Sequence, residues 1–151
     1  MTPRGLKITA AELMLMMVLL AYGAAVAAER MAVAVPKANV RAGPGKQYDV
    51  IWNVEKYYPV IVIAKQNSWY RFRDFEGDEG FVHKSLLTRG IETVVTVKQI
   101  CNVRSGPGTS FAIAFTVEQG VPFKVLRRKG NWISVQHADG DKGWIYKTLT
   151  W

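Results

Sequence analysis

A seven-residue motif that decides the fold occurs twice, as Asn39-Val-Arg-Ala-Gly-Pro-Gly45 and as Asn102-Val-Arg-Ser-Gly-Pro-Gly108. Similarity at a fixed offset marks a duplicated structural unit. The offset is 63 positions (102 − 39). The same ungapped shift aligns Val54-Glu55, Pro59, Trp69, Gly77-Asp78, Gly80, Lys84 and Leu86 with Val117-Glu118, Pro122, Trp132, Gly140-Asp141, Gly143, Lys147 and Leu149. The chain therefore carries two copies of one small module.

The residues within each copy follow the pattern of β-strands. Val60-Ile-Val-Ile63 is a β-branched run, and Tyr70 and Phe72 alternate with polar neighbours, as on the two faces of a strand. Asp139-Gly140 is typical of a tight hairpin turn, because glycine tolerates a positive φ. No stretch from 29 to 151 sustains a helical period. Short strands joined by glycine-rich turns predict an all-β module built as a small barrel.

The Gly-Pro-Gly segment predicts a sharp change of chain direction. Pro44 and Pro107 fix φ near −65°, and the flanking glycines adopt angles closed to other residues. We expect the chain to leave the Asn-Val-Arg strand here and enter a long loop. A phosphate-cradling loop is the alternative, but neither a following helix nor a Gly-Lys-Ser/Thr sequence accompanies it.

The order of these segments resembles the bacterial SH3-like domain. The motif is followed by an apolar strand, by Trp132-Ile-Ser-Val135 and by Gly143-Trp-Ile145, and the first copy repeats the order with Trp69-Tyr-Arg-Phe72 and Gly80-Phe-Val82. The resemblance implies two tandem small SH3-like β-barrels at 32–88 and 94–151, each partly open with five or six strands. It also implies a non-catalytic role, such as wall or peptide binding in exported bacterial proteins. The module often accompanies a hydrolase domain, for which these two copies leave no residues.

Outward-facing aromatic residues are the candidate ligand site. Alternation predicts that Ile145 and Val82 point inward. In eukaryotic relatives the outer aromatics line a groove for extended peptides, and the resemblance implies the same for Trp69, Phe81, His83, Trp132, Trp144 and Tyr146. For Trp69 and Trp132 a packing role stays open, since small barrels also use aromatics as core or lids. Tyr48 and Phe111 follow the Gly-Pro-Gly turns, where they either close the groove or pack on the loop.

Charge separates the two copies. The chain has 20 Lys and Arg against 12 Asp and Glu, a net charge of +8. Residues 39–87 carry seven basic and six acidic groups, and residues 102–150 carry seven basic and three acidic, which gives +1 and +4. Arg127 and Arg128 lie at a predicted hairpin beside Trp132. They form either a solvated loop or a path by which an anionic ligand approaches the second groove.

No catalytic or metal site is expected. Cys101 is the only cysteine, so the chain has no intrachain disulfide, and its alignment with Ala38 indicates a small buried apolar residue. His83 and His137 align with Tyr146 and Asp74 and lack metal-ligand spacing. A Cys–His pair would require the two residues to meet in space. We therefore expect a protein without catalytic residues, metal or cofactor.

The first residues predict export. Arg4 and Lys7 precede an apolar run and a small-residue segment that ends at Ala28, which is typical of a cleaved signal peptide at 1–28. Cleavage after Ala27 is the near alternative. Leu13 to Ala28 would span about 24 Å as a helix, short of the roughly 30 Å hydrocarbon core, so an uncleaved anchor is the second choice. The expected location is the periplasm or cell envelope, with no stable membrane span after cleavage.

Two functions remain open at this point. The first is recognition of cell-wall peptidoglycan or a peptide ligand, favoured by the basic second copy and its aromatic residues. The second is a periplasmic adaptor that binds a protein partner through the same grooves, favoured because the two copies include no effector domain. An exported protein meets wall polymers, lipid headgroups and acidic peptides, so nucleic acid is not an expected partner.

Overall fold

The computed structural model describes residues 25–151, which form two consecutive β-domains. Among these residues, the helical elements are two single 3₁₀ turns, Lys84–Leu86 and Lys147–Leu149. The first domain contains seven strands, which are β1 Ala25–Val33, β2 Lys37–Arg41, β3 Val50–Glu55, β4 Pro59–Gln66, β5 Trp69–Arg73, β6 Glu79–His83 and β7 Leu87–Thr88. The second contains six, which are β8 Thr93–Val95, β9 Ile100–Arg104, β10 Ile113–Glu118, β11 Pro122–Lys129, β12 Trp132–Gln136 and β13 Lys142–Tyr146.

Each domain is built on one antiparallel sheet. The strand order is β3-β2-β6-β5-β4-β1-β7 in the first and β10-β9-β13-β12-β11-β8 in the second. Five strands and the 3₁₀ turn of the first domain recur in the second at bounds shifted by 63 positions, as β2 at 37–41 and β9 at 100–104 illustrate. The predicted architecture of two tandem all-β, SH3-like domains is confirmed.

Alternation along the strands separates core from surface. Phe72 and Val82 are fully buried in the first domain, as are Val135 and Ile145 in the second. Burying a side chain of this size stabilises the fold by roughly 1.5–3 kcal/mol. The inward orientation predicted for Val82 and Ile145 is confirmed.

The two cores contain the same pair of residue types, but at exchanged positions. Phe72 and Val60 are fully buried in the first domain, whereas the equivalent positions in the second hold Val135 and Phe123, also fully buried. Each barrel therefore has one phenylalanine and one valine at this pair of positions. Because interiors are close-packed, a large residue at one position is matched by a small one at the other.

The predicted signal peptide falls mostly outside the described residues. Only its last four residues, 25–28, are described, and they form the start of β1. The registered pairs of β1 with β4 run from Glu29↔Val62 to Ala32↔Pro59, with a single earlier pair at Ala25. Cleavage after Ala28 would keep the continuous part of this ladder. Within residues 25–151, no helix is long and apolar enough to cross a membrane.

One arginine of the first domain joins the two domains. Arg30 donates hydrogen bonds to the carbonyl oxygens of Thr93 at 3.2 Å and Trp151 at 3.0 Å. Its guanidinium also lies 4.2 Å from the centroid of the Trp151 ring. At a second point, the Gln119 amide donates to the Glu76 carboxylate at 2.9 Å.

Candidate functional site

An aromatic pair stands at the same place on each domain. Trp69 is the register partner of His83, and Trp132 is the register partner of Tyr146. In both pairs the ring centroids are 5.3 Å apart and the rings meet edge to face, at 84° and 73°. All four residues are half-buried. The sequence predicted these four residues as ligand contacts, and the structure brings them together two by two.

Each aromatic pair forms one wall of a cleft. The first cleft has a volume of about 520 Å³ and is lined by Lys37, Asn39, Arg41, Lys46, Trp69, His83, Ser85 and Leu86. The second cleft has a volume of about 240 Å³ and is lined by Asn102, Arg104, Thr109, Trp132, Tyr146 and Leu149. Every residue that lines the second cleft is the repeat equivalent of one that lines the first, 63 positions earlier. The duplication has therefore preserved a concave surface as well as a fold.

The arginine of the repeated motif holds the loop that borders the cleft. The Arg41 guanidinium donates to the carbonyl oxygens of Lys46 at 3.2 Å and Tyr48 at 2.7 Å. Arg104 makes the same two bonds, to Thr109 at 3.2 Å and Phe111 at 2.9 Å. Charged donors form the stronger class of hydrogen bond, so these contacts fix the loop after Gly-Pro-Gly.

The Gly-Pro-Gly loop also needs its first glycine for packing. The Tyr48 ring lies against Gly43, and the Phe111 ring lies against Gly106, so closely that an added Cβ would clash with either ring. Tyr48 is 41% exposed and Phe111 is 45% exposed. Tyr48 and Phe111 are not among the residues that line the two clefts. Of their two expected roles, the structure supports packing on the loop.

The second member of each aromatic pair is oriented by a polar neighbour. His83 Nδ1 lies 2.7 Å from the Ser85 hydroxyl and accepts a bond from the Ser85 backbone N–H at 3.4 Å. In the second cleft, the Asn131 amide donates to the Tyr146 hydroxyl at 3.2 Å. When Nδ1 is the acceptor, the His83 ring carries its proton on Nε2 and offers a donor there.

Trp144 does not line the second cleft, contrary to the prediction. It is only 8% exposed, and the Arg127 guanidinium lies 5.0 Å from the centroid of its ring. Arg127 is paired with Ser134, and Ser134 with Trp144, so the three stand in one row across three strands. Serine is too small to separate its neighbours, and the arginine leans across it. The alternation of residues along β13 predicted which face of the strand Trp144 occupies. It could not predict that Arg127 covers the ring.

Phe81 is also placed apart from the aromatic pair of its domain. It is half-buried beside Arg71, its register partner, and lines a separate depression with Tyr48 and Pro44. Arg71 is engaged in an ion pair with Glu79. The prediction that Phe81 shares a groove with Trp69 and His83 therefore does not match the geometry.

The basic hairpin of the second domain is engaged away from the cleft. Arg127 lies over Trp144, and Arg128 donates two hydrogen bonds to the Glu92 carboxylate at 3.1 and 2.6 Å. Neither arginine lines the second cleft. The expectation that these arginines lead an anionic ligand into that groove is not supported.

The basic residues instead gather around the first cleft. Lys37, Arg41 and Lys46 line it, and Lys37 and Lys46 are exposed. Of the residues from 25 to 151, Arg104 is the one cation that lines the second cleft. Net charge per copy therefore did not indicate which cleft the basic residues line, because a count over 49 positions (87 − 39 + 1) does not say where each charge lies.

Several lining residues were not among the predicted contacts. Asn39, Arg41 and Leu86 line the first cleft, and their equivalents Asn102, Arg104 and Leu149 line the second. All three positions are identical in the two copies. Identity between the copies was therefore the available signal, although the repeated motif was expected to form only a strand and the turn that follows it.

Groups outside the clefts have structural explanations. The Cys101 thiol is fully buried, burial raises its pKa, and it lies 3.6 Å from the Lys98 carbonyl oxygen. Such a thiol is poorly suited to act as a nucleophile. The Asp74 carboxylate accepts bonds from the backbone N–H groups of Glu76 and Asp78 and from the Tyr58 hydroxyl, at 2.9–3.0 Å. The two backbone bonds close the turn between β5 and β6.

Comparison with known proteins decides the family. The bacterial SH3 domain model matches residues 34–88 and 97–151. The chain belongs to the bacterial SH3 domain family. Two separate matches correspond to the two domains of the structure.

The chain is also similar to part of several curated proteins. It is 27% identical over 123 residues to "Putative N-acetylmuramoyl-L-alanine amidase YrvJ" of Bacillus subtilis, covering 75% of this chain and 24% of the relative. It is 38% identical over 52 residues to "Probable cell wall amidase LytH" of Staphylococcus epidermidis, covering 34% and 18%. The chain thus spans about a quarter or less of these relatives. Among solved structures, NlpC1 from Trichomonas vaginalis matches with a TM-score of 0.38 at 13% identity, covering 85% of this chain and 48% of that one.

Proposed function

We propose that this protein is a non-catalytic binding protein of the cell envelope that holds peptidoglycan, or a peptide of the cell wall, in its two clefts. The observation that carries the proposal is the recurrence of one lined cleft on both domains, with an edge-to-face aromatic pair at the same distance in each. Since the matched positions include polar and aromatic side chains that stay accessible, conservation of the fold alone does not account for them.

The clefts have the chemistry of a site for an extended peptide. Trp69 and Leu86 supply apolar surface, and Asn39 supplies an amide that both donates and accepts hydrogen bonds. The second cleft offers the same combination from Trp132, Leu149 and Asn102. Peptide sites are commonly concave and largely apolar, with a few polar groups that orient the backbone.

The relatives support the cell wall as the location of the ligand. Two of them are named as cell-wall or N-acetylmuramoyl-L-alanine amidases, and the chain aligns with a quarter or less of their length. The part they share with this chain is SH3-like, which suits a region that holds the enzyme on its substrate.

Export would place the clefts where such a ligand is found. We propose cleavage of the signal peptide after Ala28, which leaves Glu29 as the first residue. The Glu29 carboxylate binds Lys65 at 3.1 Å and forms an ion pair with Arg89. The new terminus would therefore be fixed to the barrel. N-terminal sequencing of the envelope fraction tests this step, and a first residue of Met1 contradicts it.

An adaptor that binds a protein partner is the second candidate. Val50 and Ile113 occupy matched positions on the edge strands β3 and β10, and they are 44% and 48% exposed. An edge strand with apolar side chains is a common place for a partner to add a strand. Replacing both residues by threonine would then abolish partner capture while binding to the wall stays unchanged.

The main test is co-sedimentation with purified sacculi. We expect Trp69→Ala and Trp132→Ala each to weaken binding by roughly tenfold or more, as for tryptophans at the centre of an interface. Each single loss is large because two linked sites on a polymer act at high effective concentration. The double variant should bind almost not at all, because it lacks both sites. Leu126→Ala is the matched control, since Leu126 is 42% exposed and outside both clefts.

Circular dichroism of each variant separates a lost site from a lost fold. A folded double variant that sediments like the parent would move the ligand away from the clefts. Variants that unfold would assign these tryptophans a packing role. The edge strands would be favoured as the binding surface by a different pair of results. In that case the double tryptophan variant would still sediment with sacculi, whereas the variant with Val50→Thr and Ile113→Thr would not.

A further inference from the structure

We propose that the two clefts take chemically different parts of the wall ligand, the first a peptide carboxylate and the second an uncharged, apolar part. This inference rests on the proposed function and assigns a ligand class to each cleft. It starts from the positions at which the repeats differ. Lys37, Lys46 and His83 of the first cleft correspond to Ile100, Thr109 and Tyr146 in the second domain. The first two changes replace a cationic lysine by a neutral side chain, and the third replaces an imidazole by a phenol.

The two lysines of the first cleft are available to a ligand. Both are exposed, and among residues 25–151 neither takes part in a salt bridge. Within the described part of the chain, no acidic residue lines either cleft. Glu55 is the register partner of Lys37, and its equivalent Glu118 is the partner of Ile100. Since the acid is present in both domains, the lysines account for the difference in charge.

The arginines do not cancel this difference. Arg41 and Arg104 donate to the same two carbonyl oxygens of their respective loops, so each has the same structural task. The hairpin arginines of the second domain contact Trp144 and Glu92 instead of the cleft. At the position of Lys37, where the first cleft presents an ammonium group, the second domain has Ile100, which is 69% exposed and is not among the residues that line the second cleft.

A peptide carboxylate fits the first cleft better than a polymer phosphate does. Its apolar lining, Trp69 and Leu86, lies beside the cationic groups, so one ligand must satisfy both. The side chains and end of a wall peptide combine aliphatic carbon with single carboxylates. A polyol phosphate chain would use the lysines but has no aliphatic side chain to place against the apolar wall.

Single-cleft variants separate the two sites in the full-length mature protein. Trp132→Ala leaves the first cleft and Trp69→Ala leaves the second. Raising NaCl from 0.05 to 0.5 M shortens the electrostatic screening length roughly threefold, which weakens ion pairs at the surface. We expect sacculus binding through the first cleft to fall roughly threefold to tenfold, as two exposed ion pairs allow, and binding through the second to change less than twofold.

Chemical treatment of the sacculi identifies the anionic group. Carbodiimide with ammonia converts peptide carboxylates to amides, and hydrofluoric acid removes phosphate polymers from the wall. The proposal expects amidation to reproduce the threefold to tenfold loss for the Trp132→Ala variant, with no loss after hydrofluoric acid. Loss after hydrofluoric acid instead would identify a phosphate ligand and overturn the assignment.

Exchange of the residues between the repeats gives the matched variants. Lys37→Ile with Lys46→Thr should remove the salt and amidation effects from the first cleft, and Ile100→Lys with Thr109→Lys should confer them on the second. Lys98→Ile with Lys142→Thr removes the same charge at exposed sites outside the first cleft and should change neither effect. Equal salt dependence of both clefts overturns this inference but leaves the proposed function intact. Absence of binding by the unmodified protein overturns both.

Discussion

The close approach of two strands beside the second cleft makes a sharp prediction at Gly143. This glycine lies on β13 where β13 crosses β9, and an added Cβ would lie 2.9 Å from the Arg104 carbonyl oxygen and would clash with the Val103 side chain. Gly80 is its equivalent, but there the Arg41 carbonyl oxygen would be 3.5 Å away and the clash would be with the Val40 side chain. An added Cβ would therefore be obstructed partly by backbone at Gly143, but only by side chains at Gly80.

This difference sets the size of the two effects. Overpacking a well-filled site costs about 1–3 kcal/mol. Replacing glycine by alanine also restricts the unfolded chain, which offsets about 0.4–1 kcal/mol of that cost. We expect Gly143→Ala to lower the free energy of unfolding of the second domain by about 2 kcal/mol, near the top of this net range. Gly80→Ala should cost the first domain about 1 kcal/mol, because a side chain moves more readily than a backbone carbonyl.

Urea unfolding, followed by the amide NMR signals of each domain, measures both values. Adding Val40→Ala removes the obstructing methyl at Gly80, so the pair should show a coupling energy of about 1 kcal/mol or more. Val103→Ala should relieve Gly143→Ala less, because the Arg104 carbonyl stays in place. Equal costs at the two glycines, or full relief by Val103→Ala, would refute the reasoning.

Three further predictions concern the rest of the molecule. Arg30→Ala should uncouple the domains by removing two hydrogen bonds and the contact with Trp151, which ¹⁵N relaxation would detect as two tumbling times; a single unchanged tumbling time contradicts this. The hydrogen bond from Arg73 holds the pKa of Glu79 below its usual value of 4.5. The ionised Glu79 therefore stabilises the first domain above pH 4.5, and this stabilisation is lost as the pH falls through the lowered pKa. Glu79→Gln should flatten that part of the acid unfolding curve, and an identical curve would count against the ion pair. The Cys101 thiol should react with a thiol reagent only in denaturant, whereas rapid reaction of the folded protein would show that it is accessible.

The fold was accessible from the sequence because its evidence was internal. The repeated motif gave the number of domains, and alternation at Tyr70 to Arg73 gave the inward face of a strand without any knowledge of its neighbours. The hairpin at Asp139-Gly140 is confirmed, with a φ of 107° at Gly140. Each of these inferences depends on residues close together in the chain, where local preference and tertiary structure agree.

The composition of the site was less accessible because it depends on contacts between distant strands. Whether Trp144 is exposed is decided by Arg127, which reaches it across Ser134 on the strand between. Whether Arg128 is free is decided by Glu92, 36 positions earlier in the chain. Lys37 on β2 and Lys46 in the loop after Gly-Pro-Gly line one cleft because of the path of that loop, which the sequence does not give. Residue type and face were predictable, whereas the partner of each charge was not.

The indole NMR signals of the five tryptophans test the central claim most directly, because the tryptophans differ in their relation to the clefts. Trp69 and Trp132 line the clefts, whereas Trp144 is buried under Arg127 and Trp151 lies at the domain junction. Soluble peptidoglycan fragments from a muramidase digest would be titrated into the ¹⁵N-labelled full-length mature protein. We expect the indole N–H signals of Trp69 and Trp132 to shift in a saturable manner while that of Trp144 stays in place. Saturable shifts at Trp144 or Trp151 alone, or no shift at any tryptophan, would contradict the assignment of the clefts as the binding site.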